Sequence, residues 1–140
     1  RGHRLVADDA VEIKATDIDK LVGSAPELIK YYVELRGIGI IDVRRTFGIG
    51  AVKTFQDIAL VVKLEPWREG EVYDRLGLND HYEEILGVKL LSYTVPVKPG
   101  RSTAIIIEVA AMEFRHKTMG FNAAREFTEQ INNQLMKGNS

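Results

Sequence analysis

The chain has 140 residues, enough for one domain with a hydrophobic core, and its 45% hydrophobic and 28% charged residues are those of an ordinary globular protein. With 19 basic and 20 acidic residues the formal net charge is −1, which argues against a nucleic acid as the main partner. No cysteine occurs, and no apolar run approaches the roughly 20 residues that span a bilayer, so we expect a cytoplasmic domain without disulfides or a membrane partner.

Residues 4–7 (Arg-Leu-Val-Ala) predict a short buried strand that runs directly into Asp8 and Asp9. Carboxylates at this place can bind a hydrated metal ion or accept a proton, because ligands of α/β sheets bind at the C-terminal ends of strands. Adjacent strand residues point to opposite faces, so at most one of the two can enter a given site. The alternative is an aspartate-rich turn without chemistry.

Two further elements are predicted before residue 40. Residues 11–14 alternate apolar and charged side chains, which is typical of a half-exposed strand. The sequence Ser-Ala-Pro-Glu at residues 24–27 is a capping box with proline in the first turn. It predicts a helix that begins near Ala25 and ends in the vicinity of Gly37.

The segment 34–43, Glu-Leu-Arg-Gly-Ile-Gly-Ile-Ile-Asp-Val, places charges and glycines inside an aliphatic run. Charged side chains are rarely buried unless they are paired, and glycines let a backbone bend or a ligand come close. We therefore expect a small charged ligand to be bound here. The residues concerned are Glu34, Arg36, Gly37, Gly39 and Asp42.

Glu34 and Arg36 would share a face on an extended segment and diverge on a helix. A carboxylate suits Mg²⁺, and a guanidinium suits phosphate oxygens in a bidentate arrangement. The alternative is an internal ion pair that holds the glycine-rich turn together. The Gly37-Ile38-Gly39 sequence does not continue to G-x-G-x-x-G, so it predicts a turn rather than a dinucleotide site.

The rest of the chain alternates strand and helix patterns, which predicts an α/β or α+β fold in one domain. Ser102 and Asn122 are the expected helix N-caps, and Gly120 ends the first of the two helices. Breaks in the strands are expected at residues 65–67 and 98–100. The predicted elements are strands over residues 57–64 and 91–97, a buried helix over 103–119 and a more polar helix over 123–136.

Two basic segments are candidates for anion chemistry. Arg75 precedes a turn glycine, and an arginine near a phosphoryl group can accelerate its transfer by as much as roughly 10³–10⁵-fold, although most surface arginines do nothing of the kind. Residues 96–101 combine cations with turn-forming residues, so the loop could bind an anion or be a solvated turn. The residues of interest in this loop are Pro96, Lys98, Gly100 and Arg101.

Taken in order, these segments resemble the catalytic domain of the bacterial HPr kinase/phosphorylase family. The resemblance extends from residue 1 to about residue 132. The matching motifs are RGHRLVADD at residues 1–9, ELRGIGIIDV at 34–43, YDRLG at 73–77, VPVKPGR at 95–101 and IIEVAAM at 106–112.

The resemblance implies an α/β fold on a P-loop-kinase core of the PEP-carboxykinase-like type. It also implies a bifunctional enzyme that phosphorylates a serine of the phosphocarrier protein HPr with ATP and Mg²⁺. The same enzyme removes that group with inorganic phosphate and releases pyrophosphate. The family assembles as a homohexamer.

The resemblance also implies roles for single residues. Asp9 would be the base that takes the serine proton and, once protonated, the acid that returns it. Glu34 would help to hold Mg²⁺, and Arg75 would be the catalytic cation. Supporting residues would be Asp8, Arg36, Gly37, Gly39 and Asp42 for both reactions, and Pro96, Lys98, Gly100 and Arg101 mainly for dephosphorylation.

The family's phosphate loop, G-x-x-x-x-G-K-[ST], does not occur in the chain, and by the resemblance it would precede residue 1. We therefore expect residues 1–140 to be one catalytic domain, incomplete at its N-terminus, from a protein that is an active enzyme only when intact. One alternative is a catalytically dead fragment that binds HPr and self-associates. Another is a small-molecule kinase that shares the same core.

Overall fold

The structure is a computed structural model that describes residues 2–69 and 80–138. Those residues form eight strands and three helices, in agreement with a mixed α/β class. The chain divides into two compact units, one formed by residues 1–59 with 84–89 and the other by residues 60–83 with 90–140. The prediction of one catalytic domain over residues 1–140 stays a prediction.

In the first unit, β1 (Glu12–Asp17), β2 (Lys20–Ser24) and β5 (Phe55–Asp57) form an antiparallel sheet with β2 in the middle. The strand predicted from residues 11–14 is confirmed as β1. Leu21 on the central strand β2 is only 1% exposed.

The first unit also contains a β-hairpin of β3 (Tyr32–Leu35) and β4 (Gly39–Asp42). Leu35 pairs with Gly39 and Tyr32 pairs with Asp42, so three turn residues connect the strands. Gly37 and Gly39 have φ angles of 82° and 118°, a region that favours glycine over all other residues. The hairpin is followed at once by the short helix α1 (Val43–Phe47).

The predicted helix from Ala25 to Gly37 is wrong. The capping box leads only into a 3₁₀ turn at Glu27–Ile29, and the chain then becomes extended. Aromatic and β-branched residues at 31–33 favour a strand, and the glycine-rich turn brings residues 39–42 back to pair with them. Hydrogen bonds of the hairpin therefore replace those of a helix.

The predicted buried strand over residues 4–7 is also wrong, since it reduces to a single parallel bridge between Leu5 and Val52. Leu5 donates its N–H to the carbonyl of Ala51 at 2.8 Å and accepts from the N–H of Lys53 at 2.8 Å. These two hydrogen bonds join Leu5 to residues 51–53 and are not followed by further pairing. Asp8 and Asp9 therefore do not follow a regular strand.

In a further three-stranded sheet, β6 (Leu60–Pro66) pairs in parallel with β8 (Val88–Val97), which lies between β6 and β7 (His81–Ile85). The strand predicted over residues 91–97 is confirmed within β8. The strand predicted over residues 57–64 is confirmed over residues 60–64 as part of β6, whereas β5 ends at Asp57 and residues 58–59 lie in no strand. The break expected at residues 65–67 is wrong in its position, because β6 continues through Pro66. Proline is tolerated there because β6 lies at the edge of the sheet formed by the described residues.

The helices α2 (Thr103–Thr118) and α3 (Ala123–Gly138) lie close to their predicted positions. The side chain of Ser102 accepts from the N–H of Ile105 at 3.4 Å, and that of Asn122 accepts from the N–H of Arg125 at 3.1 Å, so both N-caps are confirmed. The prediction that α2 is buried is wrong, since none of its residues is buried. No helix in the described ranges combines the length and apolarity needed to cross a bilayer.

Candidate functional site

The two acidic motifs of the first unit meet through one hydrogen bond. The backbone N–H of Glu34 on β3 donates to Oδ2 of Asp8 at 3.2 Å, across 26 positions of sequence. The amide is thus directed to Asp8 instead of to β4. Both residues are exposed, so the structure brings a pair of carboxylate-bearing residues together at a solvent-accessible place.

Asp9 is the next residue and is also exposed. Within residues 2–69 and 80–138 its carboxylate has no hydrogen-bond or ion-pair partner. Asp8 accepts the Glu34 amide through Oδ2, whereas the Asp9 carboxylate makes no such contact among the described residues. The role of Asp9 as the catalytic base stays a prediction.

Arg36 and Gly37 belong to the hairpin turn that follows Glu34. Arg36 is exposed, and within the described residues it forms no ion pair with Glu34. The internal ion pair considered as an alternative is therefore not observed. Turn geometry accounts for the two glycines, as predicted, and leaves both charged side chains accessible to a ligand.

Asp42 has a structural partner in α1. Its carboxylate accepts from the N–H of Arg44 at 3.0 Å and of Arg45 at 3.4 Å, so it caps the helix. Partial removal from water raises the pKa of this carboxyl, but the side-chain hydrogen bond of Arg44, the two amides and the charge of Arg44 outweigh that effect and hold the pKa below its ordinary value of 3.8. The ionised carboxylate therefore serves as the N-cap of α1.

The donor set fits Mg²⁺. No group of three or more histidine, aspartate or glutamate side chains converges in the described part of the chain, which excludes an all-protein cage there. Mg²⁺ does not need one, since it keeps several waters and is commonly held by one or two carboxylates and the phosphates of a substrate. Glu34 and Asp8, which are joined by the hydrogen bond of the Glu34 amide, are the two residues whose carboxylates would hold the ion.

The basic loop lies in the second unit and is anchored by an aromatic contact. Nζ of Lys98 is 5.1 Å from the centroid of the Trp67 ring, and the N–H of Trp67 donates to the carbonyl of Val97 at 3.0 Å. The N–H of Arg101 donates to the carbonyl of Lys98 at 3.2 Å, with Gly100 at a φ of 87°. The loop is a closed turn whose Arg101 side chain is exposed.

Pro96 and Arg75 are two further residues predicted for the site. Pro96 lies within β8, opposite Glu65 of β6, and is half-buried. Arg75 and the surrounding motif at residues 73–77 lie outside the described residues, so the predicted role of Arg75 stays a prediction.

An open cavity of about 490 Å³ also lies in the first unit. Residues of the RGHRLVADD motif and of the segment after β4 line it, but Asp8, Asp9 and Glu34 do not. The lining residues are Gly2, His3, Leu5, Val43, Phe47, Gly50 and Ala51.

Sequence reasoning missed the residues at the base of the hairpin. Cζ of Arg44 lies 4.2 Å from the centroid of the Tyr31 ring, and Tyr31 has a φ of 73°. An aspartate followed by Val-Arg-Arg-Thr is a recognisable helix N-cap at Asp42, and this signal could have located α1. No sequence signal indicates the contact between Arg44 and Tyr31.

Comparison with known sequences gives a consistent result. The model of the family described as HPr Serine kinase C-terminal domain matches residues 1–131. The HPr kinase/phosphorylase of Caldicellulosiruptor bescii is 55% identical over 139 residues, which are 99% of this chain and 45% of that protein. The HPr kinase/phosphorylase of Bacillus licheniformis is 54% identical over 138 residues, 99% of this chain and 44% of that protein. The chain therefore spans somewhat less than half the length of these relatives.

A solved structure agrees with the fold. The HPr(Ser) kinase/phosphatase from Coxiella burnetii superimposes with a TM-score of 0.76 at 31% identity, covering 89% of this chain and 75% of that one. This likeness confirms the predicted α/β fold class.

Proposed function

Because the chain belongs to the HPr serine kinase C-terminal domain family, we propose that it is the catalytic part of a bifunctional protein-serine kinase/phosphorylase. The enzyme transfers the γ-phosphoryl group of ATP to a serine of HPr, and it transfers the group from phosphoseryl-HPr to inorganic phosphate, giving pyrophosphate. The observation that carries this proposal is the hydrogen bond between the Glu34 amide and Asp8, which joins the two acidic motifs.

Asp9 is the proposed general base and acid. In the kinase direction its carboxylate takes the proton of the serine hydroxyl as the serine oxygen bonds to phosphorus and ADP leaves. In the phosphorylase direction the protonated carboxyl returns a proton to the serine oxygen as inorganic phosphate attacks. One exposed carboxylate can serve both directions because each retraces the other's proton transfer.

Glu34 is the proposed protein ligand of Mg²⁺. When bound, the ion would neutralise charge on the phosphate oxygens during transfer. The chain's own contribution is to hold the Glu34 backbone against Asp8, the residue that precedes the proposed base. Arg75 and the cations of residues 96–101 are proposed to stabilise the remaining phosphate charge.

The intact protein is the proposed active form. Catalysis on ATP needs a phosphate loop, which we place upstream of residue 1, so these 140 residues alone are expected to be inactive. The intact enzyme is proposed to be a cytoplasmic homohexamer.

Substitution of Asp9 tests the proposal. In the intact protein, Asp9→Asn should reduce both ³²P transfer from ATP to HPr and phosphate-dependent release of pyrophosphate by at least about 10²-fold, the range of general acid–base catalysis. Asp19→Asn is the matched control, since Asp19 is equally exposed but lies in the turn between β1 and β2. Near-normal transfer by Asp9→Asn would refute the assigned role.

A non-catalytic interaction domain is the second candidate. Three apolar side chains of α3, Phe127, Ile131 and Leu135, are exposed at helical spacing and form a stripe on one face. Exposed apolar stripes of this kind are used to contact a partner helix or another subunit. On this reading the 140 residues retain HPr binding and self-association without chemistry.

A further inference from the structure

Tyr31, directly before β3, has an unfavourable backbone conformation. Its φ is 73°, in a region where residues other than glycine are uncommon and bulky residues are outliers. Such strain persists only where surrounding contacts impose it, and it is concentrated at functional sites. The contacts of Tyr31 therefore indicate which neighbouring residues impose its backbone conformation.

Three contacts involve Tyr31. The N–H of the buried Val43, at the start of α1, donates to the Tyr31 carbonyl at 3.0 Å. Cζ of Arg44 lies 4.2 Å from the centroid of the ring, within the range of a cation–π interaction. Nζ of Lys30 lies 5.1 Å from the same centroid.

Arg44 is itself held by Asp42. Nε of Arg44 is 3.4 Å from Oδ1 of Asp42, and Nη2 is 3.4 Å from Oδ2, so the guanidinium faces the carboxylate with two nitrogens. A planar fork of this kind fixes orientation better than a single ammonium does. Tyr31 precedes β3 and Asp42 ends β4, so Arg44 joins the two strands at the open end of the hairpin. We call Tyr31, Asp42 and Arg44 the hairpin clasp.

The clasp is close to the acidic site. Glu34 is three residues after Tyr31 on a strand of only four residues, and its amide meets Asp8 on the edge of that strand. All four residues of β3 pair with β4, so the two strands move together as one hairpin. A rotation of the hairpin at its base would therefore move Glu34 relative to Asp8.

We propose that Arg44 is a positioning residue, which clamps Tyr31 to Asp42 at the base of the β3–β4 hairpin and thereby fixes Glu34 beside Asp8. The proposal rests on the proposed function of Glu34 as a Mg²⁺ ligand. Arg44 touches neither metal nor substrate in this role. It acts through the backbone of β3.

The test measures metal binding rather than turnover. The intact protein, saturated with a non-hydrolysable ATP analogue, is titrated with Mn²⁺, and the free ion is measured by electron paramagnetic resonance. Arg44→Met should weaken Mn²⁺ binding roughly tenfold, since loss of a residue that orients a metal ligand typically costs about 10–100-fold. Arg44→Lys should recover part of the loss, because an ammonium can remain over the ring.

Arg45→Met is the matched control. Arg45 is the next residue of α1, and its side chain is 89% exposed. Its Nε is 3.8 Å from Oδ2 of Asp42, and unlike Arg44 it makes no contact with the Tyr31 ring. It should leave Mn²⁺ affinity within about twofold of the parent. Equal losses in Arg44→Met and Arg45→Met would overturn the proposal.

A double substitution separates positioning from general structural damage. If Arg44 acts through Glu34, Arg44→Met should cause little further loss in a Glu34→Gln background. The same loss in both backgrounds would mean a purely structural role and would overturn the proposal. Hydrogen exchange of the Glu34 amide should accelerate in Arg44→Met and stay unchanged in Arg45→Met.

The outcomes also separate this proposal from the proposed function. Loss of Mn²⁺ affinity in Glu34→Gln but not in Arg44→Met overturns the positioning role alone. Unchanged affinity in Glu34→Gln overturns the metal role of Glu34 and, with it, the reason for the clasp.

Discussion

At the residue scale, Asp42 is both the last residue of β4 and the N-cap of α1. It accepts two backbone amides and faces the guanidinium of Arg44, and its side chain is only 13% exposed. All of these groups favour the ionised carboxylate, so the pKa of Asp42 is lower in the folded protein than in the unfolded chain. The capping therefore stabilises the fold to an extent that depends on pH.

The substitution Asp42→Asn tests this dependence. Asparagine also caps helices, so the change removes the charge and keeps a capping oxygen. Because the folded-state pKa is depressed, the stabilisation by the charge is complete above the unfolded-state value of about 3.9 and is lost as the pH falls through the folded-state value. Urea unfolding should show a deficit for Asp42→Asn at pH 7 that shrinks below about pH 4.

Asp19→Asn serves as the control for that series, since Asp19 lies exposed in a turn. Its free energy of unfolding should follow that of the parent across the same pH range. A deficit in Asp42→Asn that stays constant with pH would contradict the argument from charge.

At the element scale, two hairpins depend on unusual backbone conformations. In β3–β4 the turn has glycines at the positions with positive φ, as the turn requires. In the hairpin of β7 and β8, the two turn residues Leu86 and Gly87 have φ angles of 48° and 79°, as in a type I′ turn. Leu86 is 63% exposed and is a poor choice for this position, because leucine is strained there.

We therefore expect Leu86→Asn to stabilise the protein. It creates the Asn-Gly pair that a type I′ turn prefers, and relief of the strain should raise the free energy of unfolding by about 1 kcal/mol. Leu28→Asn is the control, since Leu28 is 94% exposed and does not have a positive φ. Denaturant unfolding of both variants is the measurement, and equal effects would contradict the explanation by strain.

The same scale shows where local patterns succeed. The caps Ser102 and Asn122 predicted α2 and α3 because a cap acts within one helical turn of its own residue. The capping box at residues 24–27 failed because its local preference competed with a hairpin. Local signals are reliable where no distant strand competes for the same backbone groups.

At the scale of the whole molecule, the relatives are more than twice as long as this chain. The proposed function divides the work between these 140 residues and an upstream phosphate loop. A fragment with the acidic motifs and α3, but without the loop, should retain protein contacts and lose nucleotide binding.

Calorimetry tests this division. The 140-residue chain, once its folding is verified by circular dichroism, should bind HPr with at most a few-fold loss relative to the intact protein. It should show no ATP binding under conditions in which the intact protein binds ATP. Loss of HPr binding in Ile131→Asp but not in the exposed polar control Gln134→Asp would place the contact on the α3 stripe.

ATP binding by the 140-residue chain would contradict the division, and it would favour a small-molecule kinase that needs no upstream loop. HPr binding without ATP binding would support the interaction domain for this piece and the kinase for the intact protein.

The sequence by itself determined the family and the α/β class from motifs and patterns along the chain. It also determined the caps Ser102 and Asn122 and the acidic motifs, because each of these is encoded in residues close together. The tertiary structure decided that residues 32–42 form a hairpin, that Asp8 meets the Glu34 amide, and that Arg44 lies over Tyr31. These depend on the competition between local preference and pairing with residues elsewhere in the chain. Asp42 depends on both, since its cap involves only residues 42–45 while its pairing with Tyr32 in the hairpin joins residues ten positions apart.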